Sequence, residues 1–185
     1  MPRNYPDSVK TVLTLPKGKW LVIGVDPGRS GAVSFLGSGG FADGRVVDTK
    51  VAKDLQTALV ELAESSDAFY DGSAPGIRRF YVEDVHSMPG EGHVGVFSFG
   101  QAKAMPRGLL SATYGWQSEE LIAPQAWQRI CFGEKLVGMD GDERKEAIRL
   151  AAIKKWPAAS LERKKDEAVA AALYIALCGV YTKGW

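Results

Sequence analysis

From about Lys164 to Tyr181 the chain reads as one helix, and after Glu167 its surface is almost continuously Ala, Leu, Ile and Val. A helix that is apolar all round has to be covered, and here the cover must be a sheet. The N-terminal third supplies the start of one. Trp20-Leu21-Val22-Ile23-Gly24-Val25 is short and rich in β-branched residues, which suits a buried strand better than a helix. Asp26-Pro27-Gly28 stops it at once, leaving Asp26 where the strand meets solvent. Gly31 to Leu36 forms a second apolar run, and the turn chemistry of Gly37-Ser38-Gly39-Gly40 and Asp43-Gly44 predicts an antiparallel meander of three strands, about 19–26, 30–37 and 44–51.

Leu55, Leu59 and Leu62 set a helical stripe over 53–65. Arg79-Phe80-Tyr81-Val82-Glu83 is a fourth strand, again ending in an acid. A helix over about 98–113 follows, kinked or begun late because of Pro106. Trp116 to Ile122 is a fifth strand, Pro124 opens a short helix through Cys131, and Asp142 to Lys155 is helical up to Trp156-Pro157. The order is that of an α/β domain with an antiparallel beginning and parallel additions. At 185 residues the expectation is one domain over 19–185 behind a loosely held arm over 1–18.

Composition narrows the class. No apolar run approaches a membrane span, and the first residues, Met1-Pro2-Arg3-Asn4, have no signal-peptide core. Cys131 and Cys178 lie in apolar helical segments and read as reduced thiols of an intracellular protein; zinc spacing is absent. Net charge is only +1, so any affinity for nucleic acid must come from local basic clusters, such as Lys103 with Arg107 or Arg163-Lys164-Lys165.

Asp26 and Glu83 both terminate strands, and Asp166 begins the buried helix. If the first and fourth strands are parallel neighbours, Asp26 and Glu83 lie side by side, and the last helix can bring Asp166 to them. Taken singly, each acid has a plainer reading: Asp26 as a turn residue, Asp166 as a favourable first-turn helix acid. Glu83 fits that kind of reading worst, because an acid in an apolar strand is costly without a partner. Together, three converging carboxylates repel one another unless a hard cation such as Mg²⁺ lies between them. Two such ions about 4 Å apart would stabilise both the attacking and the leaving oxygen of a phosphodiester displacement.

These segments resemble a known family. Gly24-Val25-Asp26-Pro27-Gly28 is similar to the first motif of RuvC-type Holliday junction resolvases, of the RNase H-like superfamily. Val82-Glu83-Asp84-Val85-His86-Ser87-Met88-Pro89-Gly90 and Val96-Phe97-Ser98-Phe99-Gly100 resemble the second motif and following loop of phage-type members. Pro124-Gln125-Ala126-Trp127, Lys145-Glu146-Ala147 and Lys165-Asp166-Glu167-Ala168 resemble later segments in the same order. The resemblance covers about 19–179. It departs on the last helix: bacterial members carry a second acid three residues on, where this chain has Val169. Glu167 is the nearest substitute, though it points about 100° away from Asp166 around the helix.

The resemblance implies an RNase H-like fold, a five-stranded mixed sheet of three antiparallel strands plus parallel additions, flanked by helices. It also implies a homodimer that cuts four-way DNA junctions by symmetric nicks, leaving 5′-phosphate and 3′-hydroxyl ends. Asp26, Glu83 and Asp166 match the catalytic acids and would hold Mg²⁺ or Mn²⁺, two ions per site. Met88 and Phe97 are candidates for stacking at the crossover, and Lys103, Arg107, Lys164 and Lys165 for phosphate contacts. His86 reads as a loop residue rather than a general base. The expected setting is cytoplasmic, in a host cell if the chain is phage-encoded. Three alternatives stay open: an RNase H-like nuclease with another branched or hybrid substrate, a catalytically inactive junction-binding protein, and an actin-like ATPase, which normally needs two such domains.

Overall fold

The computed structural model describes residues 18–72, 77–85, 92–114 and 119–182. The expectations for the N-terminal arm before Gly18, for His86 and for Met88 fall outside them.

Five strands form one sheet: β1 (Leu21–Asp26), β2 (Gly31–Gly37), β3 (Ala42–Val47), β4 (Ile77–Glu83) and β5 (Glu119–Ile122). Their order is β3-β2-β1-β4-β5. The β1–β2 and β2–β3 pairs are antiparallel, and β4 and β5 add on in parallel. This is the expected α/β mixed sheet of three antiparallel strands plus parallel additions. Tight turns join the antiparallel strands, whereas the parallel additions arrive by helical crossovers. These are α1 (Ala52–Phe69) before β4 and α2 (His93–Tyr114) before β5; α3 (Pro124–Phe132), α4 (Gly141–Lys155) and α5 (Glu167–Thr182) complete the fold.

Strand alternation sorts the core into two layers. Leu21, Ile23, Val25, Val33, Phe35, Phe80 and Val82 face one way and pack with Leu55, Leu59 and Leu62 of α1 and Leu110 of α2. Val22, Tyr81 and Ile122 face the other way, onto α5 together with Trp127 of α3 and Ile148 of α4. Helix α5 is buried from Ala168 to Val180 except for the half-buried Ala171, as its all-round apolar surface requires. It lies so close to the sheet that a Cβ on Gly24 would stand 1.9 Å from the Ala172 carbonyl oxygen, and one on Gly179 2.2 Å from the Tyr81 ring.

Three boundaries differ from expectation. Strand β3 occupies Ala42–Val47 rather than 44–51, because Asp48 folds the chain into a turn, accepting from Lys50 N through Oδ1 (3.0 Å) and from Val51 N through its carbonyl (3.0 Å). Helix α1 continues to Phe69, four residues past the apolar stripe. Helix α2 starts at His93 and runs through Pro106. A proline removes one intrahelical hydrogen bond, and tertiary packing here carries the helix across the gap.

Candidate functional site

In the parallel β1–β4 pair Val25 stands opposite Val82, so the next residues, Asp26 and Glu83, emerge side by side from the C-terminal ends of central strands. That end of a parallel sheet is where open α/β folds place their ligand sites. The two carboxyl groups are close enough to act on each other electrostatically. Glu83 is 8% exposed, and its Oε1 accepts from Trp127 Nε1 at 2.7 Å. Burial pushes both carboxyl groups above their ordinary range, Asp26 well above it. After burial, the Glu83 charge raises Asp26 most; the Lys145 ammonium draws it back, and Glu167 raises it again. For Glu83 the bond from Trp127 opposes the effect of burial. The pair therefore retains a proton at pH values where isolated carboxyls have lost theirs.

Asp166 does not join this pair. It closes the 3-10 turn Lys164–Asp166 ahead of α5, where Oδ2 accepts from Arg163 N at 2.9 Å and the guanidinium reaches Oδ1 from its terminal nitrogen at 2.8 Å. Asp166 is 1% exposed, and burial alone would raise its pKa; the Arg163 bonds outweigh that and hold the carboxyl below its usual range. Its side chain lines a groove of about 720 Å³ beside β3, with Asp43, Arg45 and Lys165, and neither Asp26 nor Glu83 lines that groove. The physical reason is helical geometry: adjacent residues diverge by about 100°, so a helix that turns 166 toward β3 turns 167 elsewhere. Glu167 is the acid that acts on Asp26, held by Lys145 of α4 at 3.1 Å.

A divalent cation is implied by the family resemblance, and the donors fit one in part. Among the described residues no cationic side chain is bonded to the buried Glu83 carboxyl or the half-buried Asp26 carboxyl, and both are hard-oxygen ligands; Mg²⁺ needs only one or two because water and substrate phosphate complete its shell. Among the described residues, no three His, Cys, Asp or Glu side chains enclose an ion as they stand. Glu167 would have to exchange Lys145 for a cation to become the third. Lys145 and Trp127 are the site residues that sequence reasoning did not assign a role. Both lay in segments quoted for the resemblance, but only packing reveals which acid each one meets.

The remaining candidates are scattered around this centre. Lys103 is ion-paired with Asp84, the residue after Glu83, and both are half-buried. Arg107 lies further along α2 and is also half-buried; Lys164 and Lys165 are exposed beside Asp166. Phe97 is 68% exposed near the start of α2, beside exposed Val94, Val96 and Phe99. The aromatic pair 97 and 99 is thus not core. Among the described residues no helix is long and apolar enough to cross a membrane.

No family model and no curated protein sequence matches the chain. Among solved structures, it is similar to one described as T. thermophilus RuvC in complex with Holliday junction substrate, with 18% identity, a TM-score of 0.49, and coverage of 87% of this chain and 93% of that one.

Proposed function

We propose that this chain is a divalent-metal-dependent endodeoxyribonuclease that cuts four-way DNA junctions. The observation that carries the reading is the pairing of Asp26 and the buried Glu83 side by side at the C-terminal ends of adjacent parallel strands. The ordered series of motifs that resembles RuvC-type resolvases supplies the substrate class. The ligand set we assign for Mg²⁺ or Mn²⁺, at two ions per site, is Asp26, Glu83 and Glu167, with Asp166 left to shape the start of α5. When bound, divalent ions lower the pKa of the attacking water and stabilise charge on the leaving oxygen. Trp127 fixes one oxygen of Glu83 and so aims the other toward Asp26. Lys145 balances the negative charge of Asp26 and Glu167 before the ligand set is completed. Lys103, Arg107, Lys164 and Lys165 are assigned to DNA, Lys103 only after it leaves Asp84, whereas Phe97 is assigned to the dimer face rather than to stacking on DNA.

The homodimer belongs to the same proposal. A two-fold axis would set two such sites against strands of like polarity, which symmetric nicking requires. The exposed Val94, Val96, Phe97 and Phe99 on α2 give an apolar face for it. One observation favours a second reading, an inactive junction binder: Glu167 is neutralised by Lys145, and no three-ligand cluster stands ready among the described residues.

The test is cleavage of a 5′-labelled four-way junction beside duplex, flap and RNA/DNA-hybrid substrates, with Mg²⁺, Mn²⁺ or EDTA. The expected result is paired nicks in the junction alone, absent in EDTA, with ends that ligase can reseal. Asp26→Asn protein should bind the junction and leave it whole. Equal cleavage by Asp26→Asn overturns the assignment, preferential cutting of the hybrid moves the substrate class, and binding without metal-dependent nicks selects the inactive reading.

A further inference from the structure

The turn that carries Asp26 is fastened to α2 through one buried hydroxyl. Thr49 is 0% exposed and follows β3. Its Oγ1 accepts from Gly28 N at 2.9 Å, and its own N–H donates to the Gly28 carbonyl at 3.0 Å. Gly28 is thus held at both its donor and its acceptor, two residues past Asp26. The Thr49 hydroxyl proton has its shorter contact with the Ala102 carbonyl of α2, at 3.0 Å, against 3.2 Å to the Gly28 carbonyl.

The Ala102 carbonyl is available for a reason written in the sequence. In an α-helix it would accept from the N–H four residues on, and that residue is Pro106, which has none. Ala102 is 2% exposed, so water is a poor substitute, and a buried carbonyl without a donor is costly. Thr49 fills the vacancy left by Pro106. Two further links run in parallel: Lys50 Nζ donates to Ser98 Oγ at 3.1 Å, and Lys103 pairs with Asp84, one residue past Glu83. Both strand ends that bear the carboxyl pair are therefore tied to the same helix.

We propose that Thr49 is a positioning residue for the metal centre, locking the Asp26-Pro27-Gly28 turn to α2 through the carbonyl that Pro106 leaves free. This rests on the metal-nuclease reading above. It also gives α2 a mechanical role: whatever seats on its exposed apolar half bears on the spacing of the two carboxyl groups.

The experiment has two arms on the full chain. Mn²⁺ affinity is measured by calorimetry for wild type, Thr49→Val and Thr49→Ser; Thr49→Val keeps the shape and removes the hydroxyl. The expected result is a roughly tenfold weaker Kd for Thr49→Val, the lower end for residues that support metal ligands, with recovery to within about twofold in Thr49→Ser. Melting temperatures, read in EDTA, are compared for Thr49→Val alone and in a Pro106→Ala background, where the helix N–H is restored. There the loss caused by Thr49→Val should shrink, because Ala102 has regained a donor. Equal Mn²⁺ affinity in wild type and Thr49→Val overturns the positioning role, and so does an equal melting loss in both backgrounds. Absence of Mn²⁺ binding to wild type strikes instead at the metal-centre reading; the melting comparison is independent of it and still shows whether Thr49 and Pro106 share one carbonyl.

Discussion

Burial raises the pKa values of Asp26 and Glu83, and this has a consequence for stability without metal. Their pKa values are raised by folding, so between the unfolded value near 4 and the raised folded values the native state binds more protons than the unfolded state. Stability in EDTA should therefore fall as pH rises through that window. Urea midpoints taken at stepwise pH should show the fall in wild type and a flatter profile in Asp26→Asn; an identical slope in both would remove the pair as its source. Asp166 has the opposite sign, since its lowered value contributes stability that is lost only as pH drops below the usual carboxyl range. Asp166→Ala should cost about 0.5–2 kcal/mol by thermal melting, through the lost cap on the Arg163 N–H. Glu167→Gln should leave the melt nearly unchanged, because its ion pair with Lys145 is largely at the surface, yet raise the Mg²⁺ needed for half-maximal cutting at least tenfold. Reversal of those two phenotypes would return Asp166 to the site. Strand-end position made Asp26 and Glu83 legible in the sequence. Which of 166 and 167 faces Asp26 depends on the rotation of one helix, which residue pattern alone does not record.

At the scale of elements, the strands and helices were readable because apolar period and turn residues agree along most of the chain. The exceptions are informative. Asp48 stops β3 early by a side-chain bond to the backbone, a competition that β-propensity ignores. Pro106 sits inside a continuous helix because Thr49, distant in sequence, satisfies the carbonyl it frees. The close seating of α5 was not legible either, although Gly24 and Gly179 are its signature in hindsight. Gly24→Ala would press a methyl against the Ala172 carbonyl and should cost about 3 kcal/mol, read as a lower urea midpoint. Gly100→Ala is the matching control: nothing lies within 4 Å of its added methyl, and α2 should gain roughly 0.5–1 kcal/mol. Equal effects of the two substitutions would deny that α5 is packed backbone to backbone on β1.

At the scale of the molecule, the proposed activity needs two copies, because one carboxyl pair would cut one strand. Phe97→Asp on the exposed half of α2 should shift the protein from dimer to monomer in sedimentation velocity and turn paired cuts into single nicks; an unchanged dimer would place the interface elsewhere. The architecture also orders events in time. Asp26 and Glu83 lie on strands separated in the chain by β2, β3 and α1, while α5, which seals one face of the sheet and carries Glu167, follows every other described element. A ribosome releases that helix after all five strands. Until it docks, the sheet lacks its cover, the first strand lacks the backbone it packs against, and Glu167, the third ligand of the proposed set, is away from Asp26. On the proposed reading, the helix that completes the core is also the one that completes the ligand set.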